Sequence, residues 1–157
     1  MSEQPPTPQP WPPPQQGNVW VPGAGGPGYA EMALTPGRGP LGTPRSTGAC
    51  MGLFVITFGL YSLYWYFQVH EEMKRHTGRG LGGTIALVIS VVAGIAMPYL
   101  TSNEVGSLYE SHGRPKPVSG LTGLWNFPGV FLLVGPIIWF VKTNAALNTY
   151  WRNLGAA

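Results

Sequence analysis

The residues best equipped for chemistry gather in "HEEMKRH", His70 to His76. A zinc-binding H-E-x-x-H helix needs two histidines four apart, on one face. Here Lys74 stands four after His70, and the second histidine comes six after it. The two rings therefore point to different faces, and the stretch reads as a solvated, charged helix extension with Glu72 and His76 an ordinary i,i+4 pair. "GRGLGG" offers Gly78, Gly80 and Gly83 as a G-x-G-x-x-G match. Dinucleotide binding would require a strand before it and a βαβ unit around it. An apolar helix precedes it instead, so the glycines read as a tight turn. The chain has no Asp and a single cysteine, Cys50, which excludes a Ser-His-Asp set and an intrachain disulfide. We expect no catalytic, cofactor-binding or metal-ligating residues, no cofactor and no enzyme activity.

The elements that would carry these residues fall into two regimes. Twelve of the 17 prolines lie in residues 1–47. "QPPTPQPWPPPQQ" cannot form a helix or a central strand, because proline lacks the amide donor and fixes φ. Few aliphatic residues are available there to offset ordering entropy. We expect a disordered Pro/Gly-rich tail over 1–47 with polyproline II character, and a helical domain over 48–157. The start of the chain lacks the basic and apolar regions of a secretory signal.

Charged residues make up 10% of the chain, against about 25% in a typical soluble domain. Residues 49–69, 81–100 and 121–141 are free of charge. Twenty-one helical residues reach ~31 Å, close to the ~30 Å of a hydrocarbon core. The expectation is an all-α membrane protein: three transmembrane helices over 49–69, 81–100 and 121–141, multi-pass in the cell membrane. Trp and Tyr favour the headgroup level, so Tyr61, Tyr64, Trp65, Trp125, Trp139 and Trp151 are expected as interfacial anchors. The basic residues divide almost evenly between the two sides and leave orientation open. Between the second and third spans, Thr101 and Glu104 have capping-box spacing. Val105, Leu108 and Tyr109 then share one face, which suggests an amphipathic helix at the interface. The final segment reads as a helical continuation of the third span, with Tyr150 and Trp151 at the headgroups.

Within the chain "WYFQVHEEMKRH" weakly echoes "WFVKTNAALNTY" when Trp65 is laid over Trp139. His70 then meets Asn144, and Met73 meets Leu147. "GLYSLYWYFQVHEEMKRHTG", "GRPKPVSGLTGLW" and "WFVKTNAALNTYWR" together resemble the bacterial membrane proteins grouped as domain of unknown function 4234, over residues 48 to 153. That family's Gly-Tyr-x-x-Tyr-Trp pattern falls, with an offset, on Gly59 to Trp65. The resemblance implies a small helical membrane protein and no known activity.

Gly82, Ala86, Ser90 and Gly94 recur every four residues and form a candidate helix-packing groove, for a neighbouring span or for a homo-oligomer seam. The net charge of +3 is too diffuse for a nucleic-acid surface. The expected partners are the lipid bilayer, a protein that docks on the Pro-rich tail, and a second copy of the chain. The function expected is an integral membrane protein of unknown biochemical activity, a non-enzymatic interaction or assembly module. The alternative is a small transporter- or channel-like protein.

Overall fold

The long uncharged stretches contain their own stop signals, and these decide the architecture. The computed structural model describes residues 39–132 and 134–156. Helix α1, Thr47–Ile56, starts at Ser46, whose hydroxyl accepts the Ala49 amide at 3.4 Å. It ends at Thr57, whose hydroxyl donates to the Leu53 carbonyl at 2.7 Å and accepts the Tyr61 amide at 2.9 Å. Phe58 and Gly59 then take positive φ, 51° and 87°, and the chain reverses. Left-handed backbone costs a non-glycine residue roughly 1–2 kcal/mol, so Gly59 eases one of the two positions. Helix α2, Tyr61–Thr77, runs back and stops at Gly78, a left-handed cap.

The second stretch breaks in the same way. Helix α3, Gly83–Val92, ends at Ala93, where φ swings to −140°. A single 3-10 turn, Gly94–Ala96, leads into helix α4, Met97–Glu110, with Pro98 in its first turn. The third stretch is two 3-10 turns, Gly120–Trp125 and Gly129–Leu132, before helix α5, Gly135–Asn153. Ser119 and Thr122 supply a capping box for the first of those turns.

Among the described residues every regular element is helical, and no helix is long and apolar enough to cross a membrane. The expected transmembrane helices over 49–69, 81–100 and 121–141 are therefore overturned, and the multi-pass membrane architecture built on them goes too. Absence of charge measures hydrophobic length; it does not register a Thr57–Gly59 reversal, a break at Ala93, or Pro136 at a helix start. The longest helices, α2 and α5, have 17 and 19 residues, but their C-terminal halves are polar.

What results is three hairpins. In the first, α1 packs antiparallel on α2, with Cys50 Sγ 3.5 Å from the Tyr61 hydroxyl and the Phe54 and Tyr61 rings 5.3 Å apart. In the second, α3 starts beside Phe67 of α2, where the Phe67 carbonyl would lie 2.7 Å from a Cβ on Gly83, and α4 returns. In the third, residues 113–125 run back along α4, and α5 returns. The Val118 carbonyl sits on Gly106, and the Tyr99 ring lies against Gly123.

Helices α2, α4 and α5 point the same way and hold the core between them. The Trp139 indole donates to Ser102 at 2.8 Å, Ser102 meets Thr143 at 3.2 Å, and the Tyr109 hydroxyl donates to the Ala146 carbonyl at 2.7 Å. These contacts climb α4 and α5 together. Helices α2 and α5 are likewise in register. The Trp65 and Trp139 rings are 6.1 Å apart at one end and those of His76 and Tyr150 5.8 Å apart at the other. The sequence echo thus marks two parallel helices. Its aligned pairs 65/139, 66/140, 69/143, 70/144, 73/147 and 76/150 are all buried.

Candidate functional site

The two ends of the molecule differ in kind. At one end the three reversals meet: residues 57–60, 93–96 and 126–132. Large apolar side chains there face outward: Phe58 is 97% exposed, Phe131 78%, and Val92, just before the second reversal, 81%. A cavity of about 440 Å³ between them takes lining from all three, including Phe54 and Ser62, Ser90 and Gly94, Asn126 and Ile137. The first reversal satisfies its amides internally. Every amide from Thr57 to Leu63 donates within the turn: to the carbonyls of Leu53, Val55, Phe54, Thr57, Gly59 and Leu60, or to the Thr57 hydroxyl. In the second, the amides of Ala93, Ala96 and Met97 donate to Ile89, Ala93 and Gly94. In the third, the Tyr99 hydroxyl donates to the Phe127 carbonyl.

The opposite end is a polar lattice. His70 is fully buried, with Nδ1 2.6 Å from a Glu104 oxygen and Nε2 2.9 Å from the Thr101 hydroxyl. The other Glu104 oxygen accepts the Leu81 amide at 2.6 Å. The Gly83 amide donates to Glu71, and with Arg75 beside it this holds the Glu71 carboxyl below its ordinary range. Both His70 nitrogens are engaged and shielded, so the group fastens α2 to α4 and offers no open valence.

Residues 39–46 form a strap across the same end. Arg45 grips Glu72 with both guanidinium nitrogens, at 2.9 and 2.5 Å. Its amide donates to the Asn148 side chain at 2.9 Å, and its carbonyl accepts from Asn148 at 2.7 Å and Asn144 at 3.2 Å. Gly42 lies on the Trp151 indole, and Gly39 on the Arg75 carbonyl, each too close for a side chain. The Gly39 amide donates to the His76 carbonyl at 3.1 Å. His76 Nδ1 donates back to the Gly39 carbonyl at 3.1 Å, so Nε2 accepts from the Tyr150 hydroxyl at 3.1 Å. Burial lowers the His76 pKa below its ordinary value, against the opposing pull of the Gly39 hydrogen bond. Burial raises the Tyr109 phenol to about 12.

Several expectations need correction. The "HEEMKRH" stretch is not a solvated extension: His70 and His76 are core residues, and Glu72 pairs with Arg45 rather than with His76. Among the anchors, Tyr64 and Trp125 are about half exposed and Tyr61 is partly buried, whereas Trp65, Trp139 and Trp151 lie in the core. Thr101 and Glu104 sit inside α4, holding His70, rather than at a helix start. Val105, Leu108 and Tyr109 do share a face, and it is buried in protein; Tyr150 and Trp151 are buried as well. Of the proposed groove, Gly82 and Ala86 lie buried, Gly82 under the Lys74 side chain. Ser90 lines the tip cavity, and Gly94 lies beyond the break at Ala93, exposed. Residues 1–38, which hold most of the Pro-rich tail and its candidate partner motif, lie outside the described residues.

Sequence reasoning missed the strap and the buried His70–Glu104 pair. The echo between α2 and α5 held a usable signal: two polar residues, His70 and Asn144, occupy a position flanked by core residues in both copies. The chain belongs to the family described as Domain of unknown function (DUF4234), which matches residues 45–149. No curated protein and no solved structure matches it.

Proposed function

We propose that this chain is a non-enzymatic interaction module that seats in one leaflet of a bilayer. The three reversals enter the hydrocarbon, and the polar lattice, with the strap and the loops beside it, stays in water. The observation that carries this reading is the first reversal, whose apolar Phe58 and Leu60 are largely exposed and whose every amide is hydrogen-bonded within the turn. Lipid offers no partner to a bare backbone group, so non-helical chain enters it only when such groups are already satisfied. Length supports the same reading. The ten residues of α1 and of α3 each rise ~15 Å, half of a ~30 Å hydrocarbon core. Large apolar side chains gathered exposed at one end mark an interaction surface.

Sidedness tests it. In sealed vesicles, single cysteines replacing Thr43, Arg79 and Ser111, in a Cys50→Ser background, should react with a membrane-impermeant maleimide from one and the same side. A chain that crosses three times would place residue 79 opposite 43 and 111, and that result would overturn the proposal.

A further inference from the structure

Resting on the one-leaflet reading, we propose that the module selects anionic lipid headgroups through Lys74, Arg79, Lys142 and Arg152. The four glutamates among the described residues are all engaged. Glu71 pairs with Arg75, Glu72 with Arg45, and Glu110 with Lys116, while Glu104 meets His70. The four named cations are exposed and make no ion pair among those residues. The described surface therefore carries excess positive charge, with Lys74 sharing the field of Glu71 and the other three farther from any carboxylate than an ion pair allows.

Height places that charge at the headgroups. Measured along the helices from Tyr61 and Gly135, at 1.5 Å per residue, Lys142 stands ~10 Å above the tips and Lys74 ~20 Å. Arg152 stands ~26 Å up on the same scale, and Arg79 follows the end of α2. A leaflet's hydrocarbon ends at ~15 Å and its headgroup zone at ~20–22 Å. Lys142 lies just below that boundary, on the exposed face that Ile137 and Val141 begin, and its stem can carry the ammonium up to the phosphates. Lys74 is level with them, and the two arginines reach down from above. Electrostatic attraction to an anionic leaflet amounts to about fivefold in partition per basic residue near the surface.

The test is the full chain reconstituted in phosphatidylcholine vesicles containing a minority of phosphatidylglycerol, with bromine on the acyl chains of one lipid or the other. Trp125, half exposed on the tip side, is the reporter, and Trp125→Phe identifies its signal. Brominated phosphatidylglycerol should quench several-fold more effectively per mole than brominated phosphatidylcholine. That preference should vanish in the variant carrying Lys74→Gln, Arg79→Gln, Lys142→Gln and Arg152→Gln, and it should shrink at high salt. Equal quenching by both lipids would overturn the selectivity while leaving the leaflet seat standing. Quenching by neither would overturn both. A preference that survives in the fourfold variant would remove these residues from the assignment.

Discussion

The tip end and the polar end are built from the same helices by opposite means. At the tips, side chains make few contacts with the rest of the protein, and the local backbone supplies nearly all the hydrogen bonds. At the polar end, long-range side-chain bonds dominate: Arg45 to Asn148 spans 103 residues, His76 to Tyr150 74, and Tyr109 to Ala146 37. One end can be exposed to another solvent without loss of its internal order. The other is closed on itself and sets the relative placement of the hairpins. Stability and surface chemistry are thus separated along the helix axes, and a substitution at one end should leave the property of the other unchanged.

The strongest challenge to that separation lies in the core beside the tips, where Trp65 stacks on Trp139 and Phe140, the latter at 5.1 Å. Trp65→Ala should cost about 3–5 kcal/mol, read as a loss of denaturant midpoint in detergent. A much smaller loss would mean that the ends are held independently. At the tips, Phe58→Lys should leave the detergent-solubilised fold within about 0.5 kcal/mol of the parent. It should weaken partition into vesicles by about 2–4 kcal/mol if the residue sits at depth. An unfolded variant would show that the tip does structural work after all.

At the polar end, Arg45→Ala leaves Glu72 without its cation and should cost about 1–3 kcal/mol, with vesicle partition unchanged. Gly42→Ala, which drives a methyl into the Trp151 ring, should lift the strap at a similar cost of about 1–3 kcal/mol. Faster exchange of the Gly39 amide would report it. The smallest effect is a pH dependence. His76 is held below its ordinary pKa by burial, so the docked strap binds fewer protons than the released one. Docking is then complete above about pH 6.5, weakens by up to tenfold per unit as pH falls from there through the lowered pKa, and levels off below it. Protection of the Gly39 amide measures this, and His76→Phe should abolish the slope.

The helical class and the turn at Gly78–Gly82 could be read from local signals: long apolar runs and glycines. The error came from treating 21 uncharged residues as one helix. Phe58 in a left-handed conformation has no composition signature, and neither does the φ change at Ala93. Burial of His76 and Trp151 was hidden for a different reason. Their cover comes from Gly39 and Gly42, in a segment whose prolines and glycines read as unstructured. Composition reports what a segment can bury by itself; it is silent about what that segment can cover. The repeat between α2 and α5 was visible, and its aligned positions are buried in both helices.

The strap also separates two boundaries that are easily taken for one. The family match begins at residue 45, yet Gly42 already lies on the Trp151 indole and Gly39 on the Arg75 carbonyl. A fragment trimmed to residues 45–149 would keep Arg45 but discard both strap glycines together with Tyr150 and Trp151, leaving His76 without either of its hydrogen-bond partners. Such a fragment would be sticky in solution, and its poor behaviour would be misread as a property of the whole protein.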